Sequence, residues 1–180
     1  VTVLLADGFE EIEALTVVDL LRRAKVYVDT VSITDDYTVR GAHGIPVQTE
    51  DLITEIDFKE SDMIVLPGGM PGTTNLKEDE NVRKAVQEAY DDGRYVAAIC
   101  AAPTILADMG ILKGKRATCY PDMESEIEDA YLTGAPVATD ENIITSQGVG
   151  TAIDFALKLI EVLISEEKAV EIADSIVYQR

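Results

Sequence analysis

The chain has 180 residues, 47% of them apolar, which suits one domain with a sizeable core rather than two. Acidic residues outnumber basic ones 34 to 15, giving a net charge of −19 and an isoelectric point near 4.2. So acidic a surface repels nucleic-acid phosphates and anionic membranes. No apolar stretch approaches the roughly 18 residues of a membrane span, and two cysteines make no disulfide framework.

Residues 1–6 form a continuous apolar run, the pattern of a strand buried on both faces. Asp7 predicts an N-cap, with Glu10 three residues on as an acidic capping box, opening a helix over residues 9–23. Residues 26–33 alternate as a strand, and 38–40 and 45–49 flank a turn at Gly41-Ala-His-Gly44. A buried strand over 62–66 ends on Pro67-Gly-Gly69. A helix over 81–91, a strand over 95–99 and a helix over 101–109 follow. Strands are predicted over 116–120 and 142–146, then helices over 151–163 and 166–177.

Buried β runs separated by helices give an α/β fold: a doubly wound, mostly parallel sheet with helices on both faces. One domain over residues 1–180 is expected, since the Pro/Gly clusters are turn-sized and there are no repeats or linkers. The chain opens on strand residues with no basic leader, so a cytoplasmic protein is expected.

In such sheets the site lies at the carboxyl ends of the strands. Cys100 stands at such an end, between the strand residues Tyr95-Val-Ala-Ala-Ile99 and the small residues Ala101 and Ala102. A nucleophile at a sharp strand-to-helix turn is exposed at the sheet edge, and helix N–H groups there favour thiolate. The alternative is a free Cys acting as a small buried hydrophobe. Glu10, Glu11 and Glu13 belong to the first junction. Glu10 and Glu11 have structural explanations in capping and the helix dipole, whereas Glu13 lies a turn further. Desolvated beside Cys100, its carboxyl would have a raised pKa and could move a proton.

Pro67-Gly-Gly-Met-Pro-Gly72 lacks nucleotide-binding spacing. It is either a tight turn or the source of a bare N–H beside the nucleophile, paired with the Ala101 N–H as an oxyanion hole. Gly148-Val-Gly150 is a helix entry or a further pocket wall. The only histidine, His43, lies in the hairpin region, and no metal-ligand spacing exists. Cys119 precedes Tyr120 on the predicted strand, so the two point to opposite faces, and Cys119 reads as core.

The stretches Leu5-Ala-Asp-Gly-Phe-Glu-Glu-Ile-Glu13, Val65-Leu-Pro-Gly-Gly69, Ala97-Ala-Ile-Cys-Ala-Ala-Pro103 and Thr145-Ser-Gln-Gly-Val-Gly-Thr151, with Asp19-Leu-Leu-Arg-Arg-Ala24, span nearly the whole chain. Together they resemble the ThiJ/PfpI superfamily and its DJ-1 branch of parkinsonism-associated and YajL-like proteins. The resemblance implies a flavodoxin-like three-layer sandwich, a homodimer and no cofactor. It makes Cys100 the nucleophile and Glu13 the protonated carboxyl touching it, with oxyanion N–H groups from Gly69 and Ala101. Gly68, Tyr120, Gly148 and Gly150 would contribute to the pocket. Arg23 matches an anion-binding position near the dimer interface, and His43 stands where some members carry its partner arginine. Tyr120 replaces the site histidine of some members.

A low-pKa thiol beside a carboxyl implies glyoxalase III-type or deglycase-like processing of small aldehydes, methylglyoxal to lactate, in carbonyl stress. The alternatives are a redox-sensing stress protein or chaperone acting through Cys100 oxidation and, more weakly, a peptidase or amidase. Ala101 stands where the peptidases of the superfamily carry a histidine, and no histidine follows Cys100.

Overall fold

The structure, a computed structural model, describes residues 1–179. β1 (Thr2–Leu5) leads into α1 (Glu11–Arg23), β2 (Asp29–Ser32), a hairpin of β3 (Thr38–Arg40) and β4 (Pro46–Gln48), and the short β5 (Asp51–Leu52). After β6 (Met63–Leu66) come α2 (Gly72–Glu78), α3 (Glu80–Asp91), β7 (Tyr95–Ile99) and α4 (Pro103–Asp108). β8 (Arg116–Ala117) pairs with β9 (Tyr131–Leu132) outside the main sheet. β10 (Val137–Asp140), β11 (Ile143–Ser146), α5 (Ala152–Leu163) and α6 (Glu166–Ser175) complete the chain.

The main sheet has seven strands in the order β10-β11-β7-β6-β1-β2-β5, parallel throughout except for β10 against β11. Its side chains alternate between two cores. Val3, Leu5, Val65 and Ile99 meet Val17 and Leu21 of α1 and Phe155 and Ile160 of α5. Leu4, Ile64, Leu66 and Val96 meet Val86 of α3 and Ile105 of α4. Helices on both faces make the flavodoxin-like, doubly wound three-layer sandwich. No helix among the described residues is long and apolar enough to cross a membrane.

From β1 the chain winds outward through β2 and β5, then returns to β6 on the other side of β1 and winds out through β7. The carboxyl ends of β1 and β6 therefore flank the point where the winding reverses, the crevice such sheets offer to ligands. β7 is the next strand along.

Helix α1 stops in a Schellman motif. Val26 N–H donates to Leu21 O and Lys25 N–H to Arg22 O, with Lys25 in the left-handed region at φ 65°. That turn uses residues 24–26, so β2 begins at Asp29 rather than near 26. Other predicted bounds also move. The capping box at Asp7 and Glu10 does not form: the Asp7 carboxylate accepts from Arg40 N–H at 2.8 Å, and Glu10 is itself the N-cap residue without a side-chain cap bond. The strand predicted over 116–120 ends at Ala117, because a 3₁₀ segment opening on Pro121 follows Tyr120. β5, α2, β9 and β10 were not predicted; they are short or polar, and β10 turns straight into β11 through Glu141 and Asn142.

Candidate active site

Cys100 follows β7 directly and has φ 65°, a conformation that costs a non-glycine residue about 1–2 kcal/mol. Two long-range bonds hold it there. Its N–H donates to Ser146 O at 3.0 Å, and its carbonyl accepts from Tyr120 N–H at 2.8 Å. The thiol is thereby lifted off the sheet edge at a half-buried position, while Ala101 and Ala102 pack beneath.

Glu13, in the first turn of α1, is fully buried. Its Oε2 accepts from Gly68 N–H at 2.9 Å, and its Oε1 is buried without a conventional donor, facing the sulfur. This contact requires glycine at two positions. A Cβ on Gly68 would lie 2.5 Å from Cys100 Cβ and 2.7 Å from Glu13 Oε2. Gly69, at φ 89°, passes so close to the β1–α1 loop that a Cβ would lie 2.4 Å from Glu10 N. Glu10 N–H donates to Gly68 O at 2.9 Å, joining the two loops.

The two groups set each other's protonation. Burial drives the Glu13 carboxyl up to about 7, against the lowering effect of its hydrogen bonds to Cys100 and Gly68; the charge of Glu10 adds to the rise. Burial also raises the Cys100 thiol, and the charge and hydrogen bond of Glu13 raise it further, to about 12; the N–H groups of Ala101 and Gly69 pull the other way. A resting thiolate held by helix dipoles, as the sequence suggested, is thus not what the geometry builds. α4 starts only at Pro103 and is six residues long, so its dipole adds little. The two titrations are coupled, and the proton of the sulfur can pass to the carboxyl beside it. With that proton on Glu13, the opposing charge vanishes and three donors face the sulfur: the carboxyl O–H and the N–H groups of Gly69 and Ala101.

The cavity above the sulfur measures about 520 Å³. Gly69, Tyr120, Gly148 and Gly150 line it with Cys100 and Glu13, while Ala101 and Gly68 lie immediately behind. A Cβ on Gly148 would be 3.8 Å from both Cys100 Sγ and Glu13 Oε1, which marks a point of space that both atoms reach. Sequence reasoning had not singled out Pro121 or Gln147 for this cavity, and had read Glu10 as a cap. Glu10 shares its strand-end position with Glu13, a signal hidden by its reading as a cap.

Two candidates stand apart. Arg23 pairs with Asp19 at 2.7 Å and lines an apolar groove on the outer face of α1. His43 does not line the cavity. Its backbone N–H and ring Nδ1 bond the two oxygens of the buried Glu11 carboxylate at 2.8 and 2.7 Å. Burial would raise the Glu11 carboxyl, but the bonds from His43 outweigh it and hold it below its usual range; the same bond, with the charges of Glu10 and Glu11, raises the imidazole. Glu11 is therefore a clamp on the hairpin rather than a dipole partner. Cys119 is buried, and its Sγ–H donates to Tyr120 O at 3.3 Å while Tyr120 faces the cavity.

The sequence model described as "DJ-1/PfpI family" matches residues 1–162. Protein DJ-1 homolog B of Arabidopsis thaliana is 39% identical over 174 residues, 96% of this chain but 40% of that longer protein. Protein dj-1beta of Drosophila melanogaster is 36% identical over 95% of this chain and 92% of its own. A Schizosaccharomyces pombe relative named glutathione-independent glyoxalase DJ-1 is 33% identical over 93% of each chain. Among solved structures, Drosophila DJ-1beta superposes with a TM-score of 0.94 at 34% identity, covering 99% of this chain and 97% of its own. Oxidized Toxoplasma gondii DJ-1 does so with 0.94 at 36%, covering 99% and 98%.

A carboxyl whose folded pKa lies above its unfolded value stabilises the fold below the unfolded pKa and loses that contribution as pH rises through the folded one. For Glu13 the window runs from 4.5 to about 7. Glu13→Gln keeps an acceptor for Gly68 N–H and cannot ionise. In urea denaturation its stability relative to wild type should rise by up to about 3 kcal/mol between pH 4.5 and 8. A flat difference across that range would remove the buried-carboxyl assignment.

Proposed function

The chain belongs to the DJ-1/PfpI family, and from that membership and its site we propose a cysteine-dependent, cofactor-independent enzyme that converts reactive aldehydes, methylglyoxal to lactate. The observation that carries the reading is a cysteine sulfur and a buried carboxyl raised to about 7, both facing one point of a substrate-sized cavity. A general acid–base group works best with a pKa near the operating pH. The name of the fission-yeast relative supports the same reaction class.

The chemistry begins with proton transfer from sulfur to Glu13. The thiolate attacks the aldehyde carbon, a C–S bond forms, and the carbonyl π pair moves onto oxygen. The N–H groups of Gly69 and Ala101 stabilise that oxyanion, and Glu13 protonates it to a hemithioacetal. The Glu13 carboxylate then removes the hydrogen on the sulfur-bearing carbon. The resulting enediolate receives this proton at the neighbouring carbon, while the hydroxyl proton passes from the oxygen on the sulfur-bearing carbon to the neighbouring oxygen, leaving a lactoyl thioester. Water adds to the thioester carbonyl, the C–S bond breaks, and lactate leaves as the sulfur regains the shared proton. No imidazole takes part, consistent with Tyr120 at the cavity and His43 outside it. The same placement weighs against a peptidase or amidase of the Cys-His type, whose imidazole activates the thiol and protonates the leaving amine. Lactate formation from methylglyoxal should fall to background in Cys100→Ser and by about 10²–10⁴-fold in Glu13→Gln. Equal rates in all three proteins would falsify the proposal.

A second reading, redox sensing, rests on the same sulfur. A thiolate attacking hydrogen peroxide breaks the O–O bond, giving Cys–SOH and water, and a second peroxide gives the sulfinic acid. Cys100 is half-buried at an open cavity, whereas Cys119 is sealed in the core and its thiol is raised by burial to about 11. Peptide mass spectrometry after mild peroxide should find Cys100 oxidised and Cys119 spared; comparable oxidation of both would end this reading.

The expected homodimer would use the outer face of α1, where Ile12 and Leu15 are exposed beside Ile45 and, with Ile153 and Ile176, form an apolar groove. Sedimentation should give a dimer for wild type and a monomer for Leu15→Glu. A wild-type monomer at micromolar concentration refutes the assignment.

A further inference from the structure

The cavity over Cys100 has a charge pattern that the reaction itself does not demand. Two carboxyls, Glu10 and Glu13, face it, and no Lys, Arg or His lines it among the described residues. Its remaining wall is neutral: the Tyr120 ring, Pro121, Val149 and the Gln147 amide. The Glu10 side chain is 14% exposed, and among the described residues it is paired with His43, whose Nδ1 lies 3.7 Å from Glu10 Oε2. One imidazole thus faces two carboxylates, hydrogen-bonding Glu11 at 2.7 Å while its charge also acts on Glu10, so it offsets at most one of their two negative charges. The charge of Glu10 reaches across the site, since it contributes to raising the Glu13 carboxyl.

We propose that this cavity admits neutral and cationic carbonyl compounds and rejects anionic ones, and that Glu10 sets the selectivity. An anion entering would bring its charge beside one or two carboxylates in a partly desolvated pocket, with no donor cation to meet it. At about 520 Å³ the cavity has room for substituents well beyond a methyl group, and its aromatic and apolar wall suits an uncharged one. The substrate side of this inference rests on the aldehyde reading; the charge selectivity of the pocket does not.

The test uses two alkylating agents of like size, neutral iodoacetamide and anionic iodoacetate, with Cys100 modification read by peptide mass spectrometry at pH 8 and low salt. In each case sulfur displaces iodide, a C–S bond replaces C–I, and the thiol proton passes to solvent. The amide-to-acetate rate ratio should exceed that of free cysteine by at least tenfold in wild type. Glu10→Gln should cut the excess severalfold, and raising wild type to 0.5 M salt should shrink it without any substitution. For turnover, kcat/KM for phenylglyoxal should exceed that for 4-carboxyphenylglyoxal by a similar factor, narrowing in the same variant. A wild-type ratio equal to that of free cysteine, or one indifferent to both Glu10→Gln and salt, overturns the proposal. Preserved selectivity without lactate formation would sink the aldehyde reading alone; lactate formation without selectivity would sink this inference alone.

Discussion

A carboxyl removed from water and set against a sulfur is the constraint on which the site depends. Burying Glu13 as an anion would be costly, and one N–H bond from Gly68 does not fully offset that cost. The remaining oxygen, Oε1, lacks any conventional donor, so the carboxyl retains a proton to an unusually high pH. The sulfur beside it cannot ionise independently. The fold assembles this pair from three adjacent strands: β1 delivers Glu13 through α1, β6 delivers the two glycines, and β7 delivers Cys100. The strained Cys100 backbone persists because β11 and the loop before Pro121 each hold one of its peptide groups.

The acidity of the chain reaches into this centre. A net charge of −19 is in itself a statement about solubility and long-range repulsion. At the cavity it becomes local, because Glu10 adds to the pressure on Glu13 to keep its proton. Glu11, one residue on, points elsewhere and binds the hairpin through His43. Consecutive residues at the start of α1 therefore do unlike work, as their different directions around the helix require.

Much of this was legible in the sequence. Buried apolar runs alternating with helical periods gave the layered sheet, and the rule that ligands meet strand ends directed attention to Glu13, Gly68, Gly69 and Cys100. Short elements escaped: α2 opens on Gly72-Thr-Thr-Asn75 without an apolar stripe, and β10 is a four-residue edge strand. Arg23 could not reach the cavity once α1 was a continuous helix, because ten residues beyond Glu13 place it about 15 Å further along the axis. His43 was taken from the site by Glu11, a long-range contact that no local pattern announces. The thiol pKa was misjudged for a related reason: N–H donors near a strand end are visible in a sequence, whereas the depth of burial is not.

Cys119 shows what the surroundings contribute. It is the same residue type, nineteen positions on in the same chain and adjacent to a residue that lines the cavity. Burial raises its pKa too, yet its neighbouring charges are Glu124 and Glu126, which only oppose ionisation, and its S–H is directed at a backbone carbonyl. Cys100 differs in having a group that can accept its proton at close range and donors that can hold the charge left behind. A raised pKa therefore does not separate an inert thiol from a reactive one here. What separates them is whether ionisation must send a proton to solvent or can pass it to a buried neighbour whose own affinity for protons has been raised to meet it.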